Sequence, residues 1–131
     1  MMEYSPTMTL LNAKAATGID TSINVSDWQN LLVQFGSASS ANLTVKFVGS
    51  FSEACPDWTA AASVSNHWDY VGFYNLKSGV FVAGSTGVAL SGTDDFQNLL
   101  INTDGLRWLS AIVTARSAGS VTVKVMGTSL K

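Results

Sequence analysis

The chain has 131 residues, a length typical of one domain, and only 12% of them are charged, against roughly 25% in an average soluble domain. The net charge is −2 and the chain has no run of basic residues that could bind a phosphate backbone. Nucleic acid is therefore not an expected partner. The 29 serines and threonines supply a neutral polar surface, which favours burial in an assembly because interface cores are depleted in charged residues.

Residues 1–8 are predicted to form an N-terminal arm ahead of a single folded domain at residues 9–131. They carry little strand signal and lack the basic segment and apolar core of a signal peptide. No run in the chain approaches the ~18 apolar residues of a membrane span, so we expect no membrane partner and synthesis in the cytoplasm. Such an arm would order on a neighbouring subunit, with Tyr4 and Met8 as candidate contacts.

From residue 9 onward, apolar residues recur with a period of two in short runs separated by Gly, Ser, Asn and Asp, which predicts strands and turns. Leu43, Val45 and Phe47 alternate with polar residues in this way, and the valines of segment 121–125 do the same. The sequence therefore predicts an all-β, single-domain antiparallel β-sandwich, jelly-roll-like, with about eight to nine short strands.

The segments 36–40 and 117–120 are predicted to be hairpin turns, because both are rich in the small residues that such turns need. The strands that these turns would join are predicted at Leu31–Phe35, Leu43–Phe51, Leu106–Arg116 and Val121–Met126. Each turn would reverse the chain and place its two strands side by side.

His67 and Cys55 are the single histidine and the single cysteine, so a catalytic triad would have to use His67 with Cys55 or a serine and an acid such as Asp69. No nucleophile signature such as GxSxG supports one. Free cysteines are usually buried, and Cys55 is expected to be a partly buried thiol. We predict no catalytic residue and no enzymatic activity.

The acidic residues lie almost entirely beside turn residues. Asp94, Asp95 and Asp104 would supply oxygen ligands to calcium if they met, but they lack the spacing of a calcium-binding loop, and solvated turns are the preferred interpretation. No Cys/His spacing indicates a zinc site. We therefore expect no metal ion and no cofactor.

The tryptophans divide into two pairs. Trp28 and Trp108 lie inside strand patterns and are predicted to be in the core. Trp58 and Trp68 bracket the least regular stretch, where they either line a ligand groove, as in carbohydrate-binding modules, or cap the sandwich and fill an intersubunit contact, which we favour. The candidate interface or ligand contacts are Tyr4, Met8, Trp58, His67, Trp68 and Tyr70.

The stretch Thr44–Ser50, followed by a loop and Trp58, resembles the TVxFxGSxDGxxW segment of many small bacteriophage structural proteins. The likeness extends to the segments Leu10–Ala13, Ala15–Gly18, Asp104–Trp108 and Gly119–Val123. It departs at Ser52–Pro56, which replaces the usual Asp-Gly turn.

The resemblance implies a β-sandwich or jelly-roll subunit of a phage particle, located in the virion after synthesis in the bacterial cytoplasm. The expected role is capsid decoration, in which a homo-oligomer, with a trimer favoured, binds the major capsid protein or other virion proteins and stabilises the lattice. A tail or neck component is the alternative within this class. A carbohydrate-binding module is the alternative outside it, and glycans remain a candidate partner in either case.

Overall fold

A computed structural model describes residues 1–92 and 95–130, which form ten strands and no helix. The strands are β1 (Met2–Tyr4), β2 (Met8–Lys14), β3 (Ser22–Asn24), β4 (Asn30–Ser50), β5 (Asp69–Val71), β6 (Phe73–Asn75), β7 (Val80–Val82), β8 (Val88–Gly92), β9 (Phe96–Asn102) and β10 (Trp108–Leu130). Within the described ranges there is accordingly no helix long and apolar enough to cross a bilayer.

Two long strands organise the fold. β4 has 21 residues and β10 has 23, and they pair antiparallel from Trp108 opposite Ser50 to Thr128 opposite Asn30. Both bend near the middle, where the register shifts three times between Val113 and Ser120 and Gly119 of β10 has a φ of 76°. A β-bulge kinks a strand without ending it. The paired strands therefore continue through the bend, and each contributes to two layers.

The hairpins predicted at 36–40 and 117–120 are therefore wrong. The turn-forming residues do adopt left-handed backbone, with φ of 61° at Ser39 and 53° at Ser40, but they bend β4 instead of reversing it. The reason is that the two turn-prone segments face each other across the ladder, since Ala38 pairs with Ser120. The described residues form ten strands, two of them long, and the all-β antiparallel sandwich-like architecture is confirmed.

The bend divides the sheet into two layers. In the wide layer, the first half of β4 lies between the second half of β10 and β9, with β1 and β2 beyond β10 and β6 and β7 beyond β9. In the narrow layer, the second half of β4 pairs with β5 and β8, and the first half of β10 pairs with β3.

The core lies between these layers. Phe35 in the first half of β4 contacts Phe47 in the second half, with ring centroids 5.7 Å apart, and Phe47 contacts Phe73 of β6 at 5.8 Å. Alternate residues of the long strands join this cluster, among them Leu31, Val33, Val45, Leu109, Val113, Val121 and Val123. The period-two pattern seen in the sequence is thus the inward face of both layers.

The N-terminal residues lie along the wide layer. Met2 pairs with Leu130 and Tyr4 with Thr128, so β1 extends the sheet beside the end of β10. Ser5 binds Gly127 in both directions: the Ser5 N–H donates to the Gly127 carbonyl oxygen at 2.9 Å, and Ser5 Oγ accepts from the Gly127 N–H at 2.7 Å. A role for residues 1–8 as an arm on a neighbouring subunit stays a prediction.

Trp28 and Trp108, predicted to be core residues, are half-buried. The Trp28 indole covers Gly127, where a Cβ would lie 2.5 Å from the ring. Trp108 Nε1 donates to the Glu53 carbonyl oxygen at 3.3 Å. Both side chains cover the margins of the fold, because the valines and leucines already fill its interior.

Candidate functional site

The six predicted contact residues fall into two groups. Tyr4, 62% exposed, and Met8, which packs against the core, lie on β1 and β2 at one edge of the wide layer. Trp58, His67 and Trp68 lie on the loop that follows β4, close to Tyr70 of β5, the strand that returns to pair with β4. The structure therefore brings four of the six residues into one region.

The loop at residues 51–68 is stabilised by hydrogen bonds between its own ends. The Asp57 N–H donates to Asn66 Oδ1 at 2.8 Å, and Asn66 Nδ2 donates to the Asp57 carbonyl oxygen at 2.8 Å. The Thr59 hydroxyl and N–H both donate to the Asp57 carboxylate, which lowers the pKa of Asp57. Cys55 is exposed on this loop, so the expected partly buried thiol is wrong.

Three aromatic side chains connect the loop to β5. Trp58 is only 3% exposed, and its Nε1 donates to Ser22 Oγ at 2.7 Å. Its ring contacts Trp68 edge-on at 6.2 Å, and Trp68 contacts Tyr70 at 5.5 Å. Lys46 Nζ lies 5.0 Å from the Tyr70 ring centroid. Trp58 therefore caps the fold and has no open face for a ligand, while Tyr70 reaches the surface.

Tyr70 forms part of a groove of about 490 Å³ at the end of the sandwich where β4 and β9 finish. Phe51 and Phe81 supply its other aromatic side chains and are 64% and 55% exposed. The Phe51 ring lies 5.5 Å from the His67 ring. Residues from four separate parts of the chain thus converge on one concave, largely apolar surface.

The groove also carries polar groups. Asp69 Oδ1 accepts from the Tyr70 N–H at 2.7 Å, and Asn102 Oδ1 accepts from the Asp104 N–H at 2.9 Å. These bonds orient both side chains and use Asn102 Oδ1 and one oxygen of the Asp69 carboxylate. The residues that line the groove include no lysine or arginine. Its chemistry is therefore that of aromatic faces with uncharged donors and carboxylate acceptors.

The calcium hypothesis has no support in the described ranges, where no group of three His, Cys, Asp or Glu side chains is placed to hold a metal ion. Asp94 lies outside the described residues. Asp95 Oδ2 accepts from the Ser91 N–H at 3.2 Å, and Asp104 belongs to the groove instead. Sequence spacing did not predict this placement of Asp104, because the groove forms only when the ends of β4 and β9 meet.

A second surface lies on the outer face of the wide layer. Five apolar side chains form a continuous row of cross-strand neighbours: Met126, Leu32, Leu100, Tyr74 and Phe81, from β10, β4, β9, β6 and β7. Leu32 is 36% exposed, Tyr74 is 49% exposed, and the Tyr74 and Phe81 rings touch at 5.1 Å. We call these five residues the apolar row.

Polar residues flank the apolar row, and the ones named here are uncharged amides except for Lys124. Gln34 and Asn98, paired across β4 and β9, lie on one side with Lys124, and Asn30 and Asn102 lie on the other. Sequence reasoning missed this surface, although a signal for it exists. The adjacent leucines at 31–32 and 99–100 break the period-two pattern, and the second leucine of each pair must point away from the core.

The fold matches two phage-derived solved structures. The SPBc2 prophage-derived protein YomS superposes with a TM-score of 0.70 at 14% sequence identity, covering 98% of this chain and 96% of that one. The PBSX exported protein XepA superposes with a TM-score of 0.71 at 13% identity, and the match spans 98% of this chain but 38% of XepA. No protein-family model and no curated protein matches the sequence. The resemblance to small phage proteins is confirmed at the level of the fold.

Proposed function

We propose that the protein is a virion-associated structural protein of a bacteriophage that acts by assembling with copies of itself and with other virion proteins. The phage setting is supported by the fold, which YomS shares along nearly its whole length. The assembly role rests on the apolar row, because five exposed or half-exposed apolar side chains in line across five strands are unusual on an isolated domain.

A second copy of this chain is the occupant that the apolar row favours. Together with Leu76 and Phe96, which border it and are 51% and 67% exposed, the row offers on the order of 500 Å² of apolar surface. A stable interface buries about 800 Å² on each partner, so the polar flanks would supply the remainder. The depressions on this face are lined by Lys77 and Lys124 and by no carboxylate. A second copy has a net charge of −2, so these positive side chains would attract it.

Within the virion we propose capsid decoration, in which a homotrimer binds the major capsid protein and stabilises the lattice. Such a role requires only binding. A protein that binds the assembled capsid lattice more tightly than its free subunits stabilises the lattice by mass action. The low charge of the chain supports the role, because neutral polar groups lose less than charged groups when they enter an interface. We propose no enzymatic activity.

The test has two parts. Light scattering of the purified chain at micromolar concentration should give the mass of three protomers, and a monomer would contradict self-assembly through the apolar row. Antibody labelling of purified phage particles should then place the protein on the capsid shell. Label at the tail or neck would overturn decoration and keep the virion role, whereas particles without label would overturn the virion role itself.

A further inference from the structure

The groove beside Tyr70 shares Phe81 with the apolar row but differs from it in chemistry, since polar side chains line the groove together with aromatic ones. We propose that this groove binds a neutral saccharide. The assignment goes beyond the assembly role, and it does not depend on Trp58, whose indole is buried.

The aromatic surface is held rigid before any ligand arrives. Tyr70 is fixed edge-on by Trp68, with an interplanar angle of 87°, and Trp68 is fixed by the buried Trp58. Trp68 Nε1 also donates to the Ala60 carbonyl oxygen at 3.2 Å. A rigid aromatic side chain loses little conformational entropy on binding, and its electron-rich face attracts the C–H groups of a sugar ring. Phe51 extends the same apolar surface across the groove.

The polar groups of the groove include both donors and acceptors for hydrogen bonds with sugar hydroxyl groups. The carboxylates of Asp69 and Asp104 accept hydrogen bonds, while Asn102 Nδ2 and an N–H of His67 donate them. A sugar hydroxyl donates one hydrogen bond and accepts others, so neighbouring hydroxyls would use a carboxylate and a donor together. Hydrogen bonds to a carboxylate are roughly twice as strong as those between neutral groups.

Charge narrows the class of ligand. The lining includes two carboxylates and no lysine or arginine, and the Lys46 ammonium beside it lies 5.0 Å from the Tyr70 ring centroid. The carboxylates outnumber this one neighbouring cation, so an anionic ligand would meet a net negative surface. A cationic ligand would satisfy the carboxylates and the rings but would leave the Asn102 and His67 donors unused. A volume of about 490 Å³ lies within the 300–1,000 Å³ typical of ligand sites, and the open end leaves room for a longer chain.

The experiment titrates lactose, cellobiose and N,N′-diacetylchitobiose into the full chain, with intrinsic tryptophan fluorescence and NMR shifts as readouts. An array of neutral glycans extends the set of ligands. We expect at least one neutral glycan to bind. Tyr70→Ala should weaken that binding about tenfold, because it removes the stacking surface. Asp104→Asn, at an exposed turn where the fold does not depend on the charge, should weaken it several-fold.

Val64→Ser is the control, since Val64 is a fully exposed apolar residue that lines neither the groove nor the apolar row, and its replacement should leave binding in solution unchanged. The proposal is overturned if no neutral glycan binds, or if sialylated glycans or choline bind better than neutral ones. Equal affinity of Asp104→Asn and the parent chain, with Tyr70→Ala also unaffected, would overturn it as well. None of these results depends on the oligomeric state, which tests the assembly role separately.

Discussion

Trp58 and Tyr70 show that aromatic side chains within a short stretch of chain can lie either in the interior or at the surface. Trp58 is buried because its indole N–H finds an acceptor in Ser22, which lies 36 positions earlier in the sequence. The Tyr70 side chain, on β5, remains 36% exposed to solvent. The sequence identified the aromatic stretch, but only the position of Ser22 decided which ring would be enclosed.

The Lys14–Asp20 ion pair provides a prediction about pH. Partial burial raises the pKa of Asp20, but the Lys14 hydrogen bond at 2.8 Å, the Asn12 N–H and the Lys14 charge together outweigh this and hold it below its ordinary value. A lowered pKa in the folded state stabilises the fold above the ordinary value near 3.8 and loses that effect as the pH falls through the folded pKa.

Asp20→Asn should therefore lower the free energy of unfolding by about 0.5–1 kcal/mol at pH 7, because it removes the charge of a pair that is only partly shielded from water. As the pH is lowered toward 2, the parent carboxyl takes up a proton when the pH passes its lowered folded pKa, and the difference between the two chains should shrink. Urea unfolding at both pH values measures it. A difference of the same size at pH 7 and pH 2 would contradict this role for the pair.

β4 and β10 share a bend where the sequence predicted two hairpin turns. Small residues that allow left-handed backbone serve equally well in a hairpin turn and in a bulge. Two such segments face each other here, so the paired strands bend together and neither reverses. The local sequence marks where the backbone changes direction, and the pairing partner determines whether the chain turns back.

Gly119 should be the most sensitive position of that bend. A Cβ there would lie 2.4 Å from the Ala41 Cα and 2.6 Å from the Ala38 carbonyl oxygen, on a residue with φ of 76°. Gly119→Ala should therefore destabilise the fold by about 2–5 kcal/mol through backbone strain and overpacking together. The measurement is the free energy of unfolding in urea.

Gly92→Ala is the matched control for that substitution. Gly92 also has a left-handed φ, of 84°, and pairs with Ala41, but a Cβ there would meet nothing within 4 Å. It should cost only about 1 kcal/mol, the effect of backbone strain alone. Equal losses for the two alanine variants would show that close approach of the strands does not limit Gly119.

For the molecule as a whole, the apolar row predicts a concentration-dependent association. Leu32→Ser places a hydroxyl at the middle of the row and should raise the dissociation constant of the oligomer at least about tenfold, because burying a leucine contributes roughly 1.5–3 kcal/mol. Leu32 is 36% exposed in the single chain, so its replacement should leave the fold intact. Sedimentation velocity across a range of concentrations measures the change.

Val64→Ser is the control for association, since Val64 is an apolar residue that is fully exposed on the loop at 51–68 and away from the row. Its oligomer should keep the mass of the parent protein. If Leu32→Ser and Val64→Ser behave alike, the apolar row does not hold the copies together, and another surface must do so.

The sequence alone determined the fold class, the inward faces of the long strands and the low content of charged residues. The reason is that strand periodicity and composition are local properties of the sequence. They do not depend on which strand becomes the pairing partner. The resemblance to small phage proteins also came from the sequence, through motifs that are mostly strand and turn.

Only the tertiary structure decided the shared bend, the apolar row and the groove beside Tyr70. Each is made by residues that are distant in sequence: the row needs the register of five strands, and the groove needs the ends of β4 and β9 beside β5 and β7. Pairing register and the convergence of strand ends are properties of the assembled sheet, and a one-residue shift would turn every side chain of a strand to the other face.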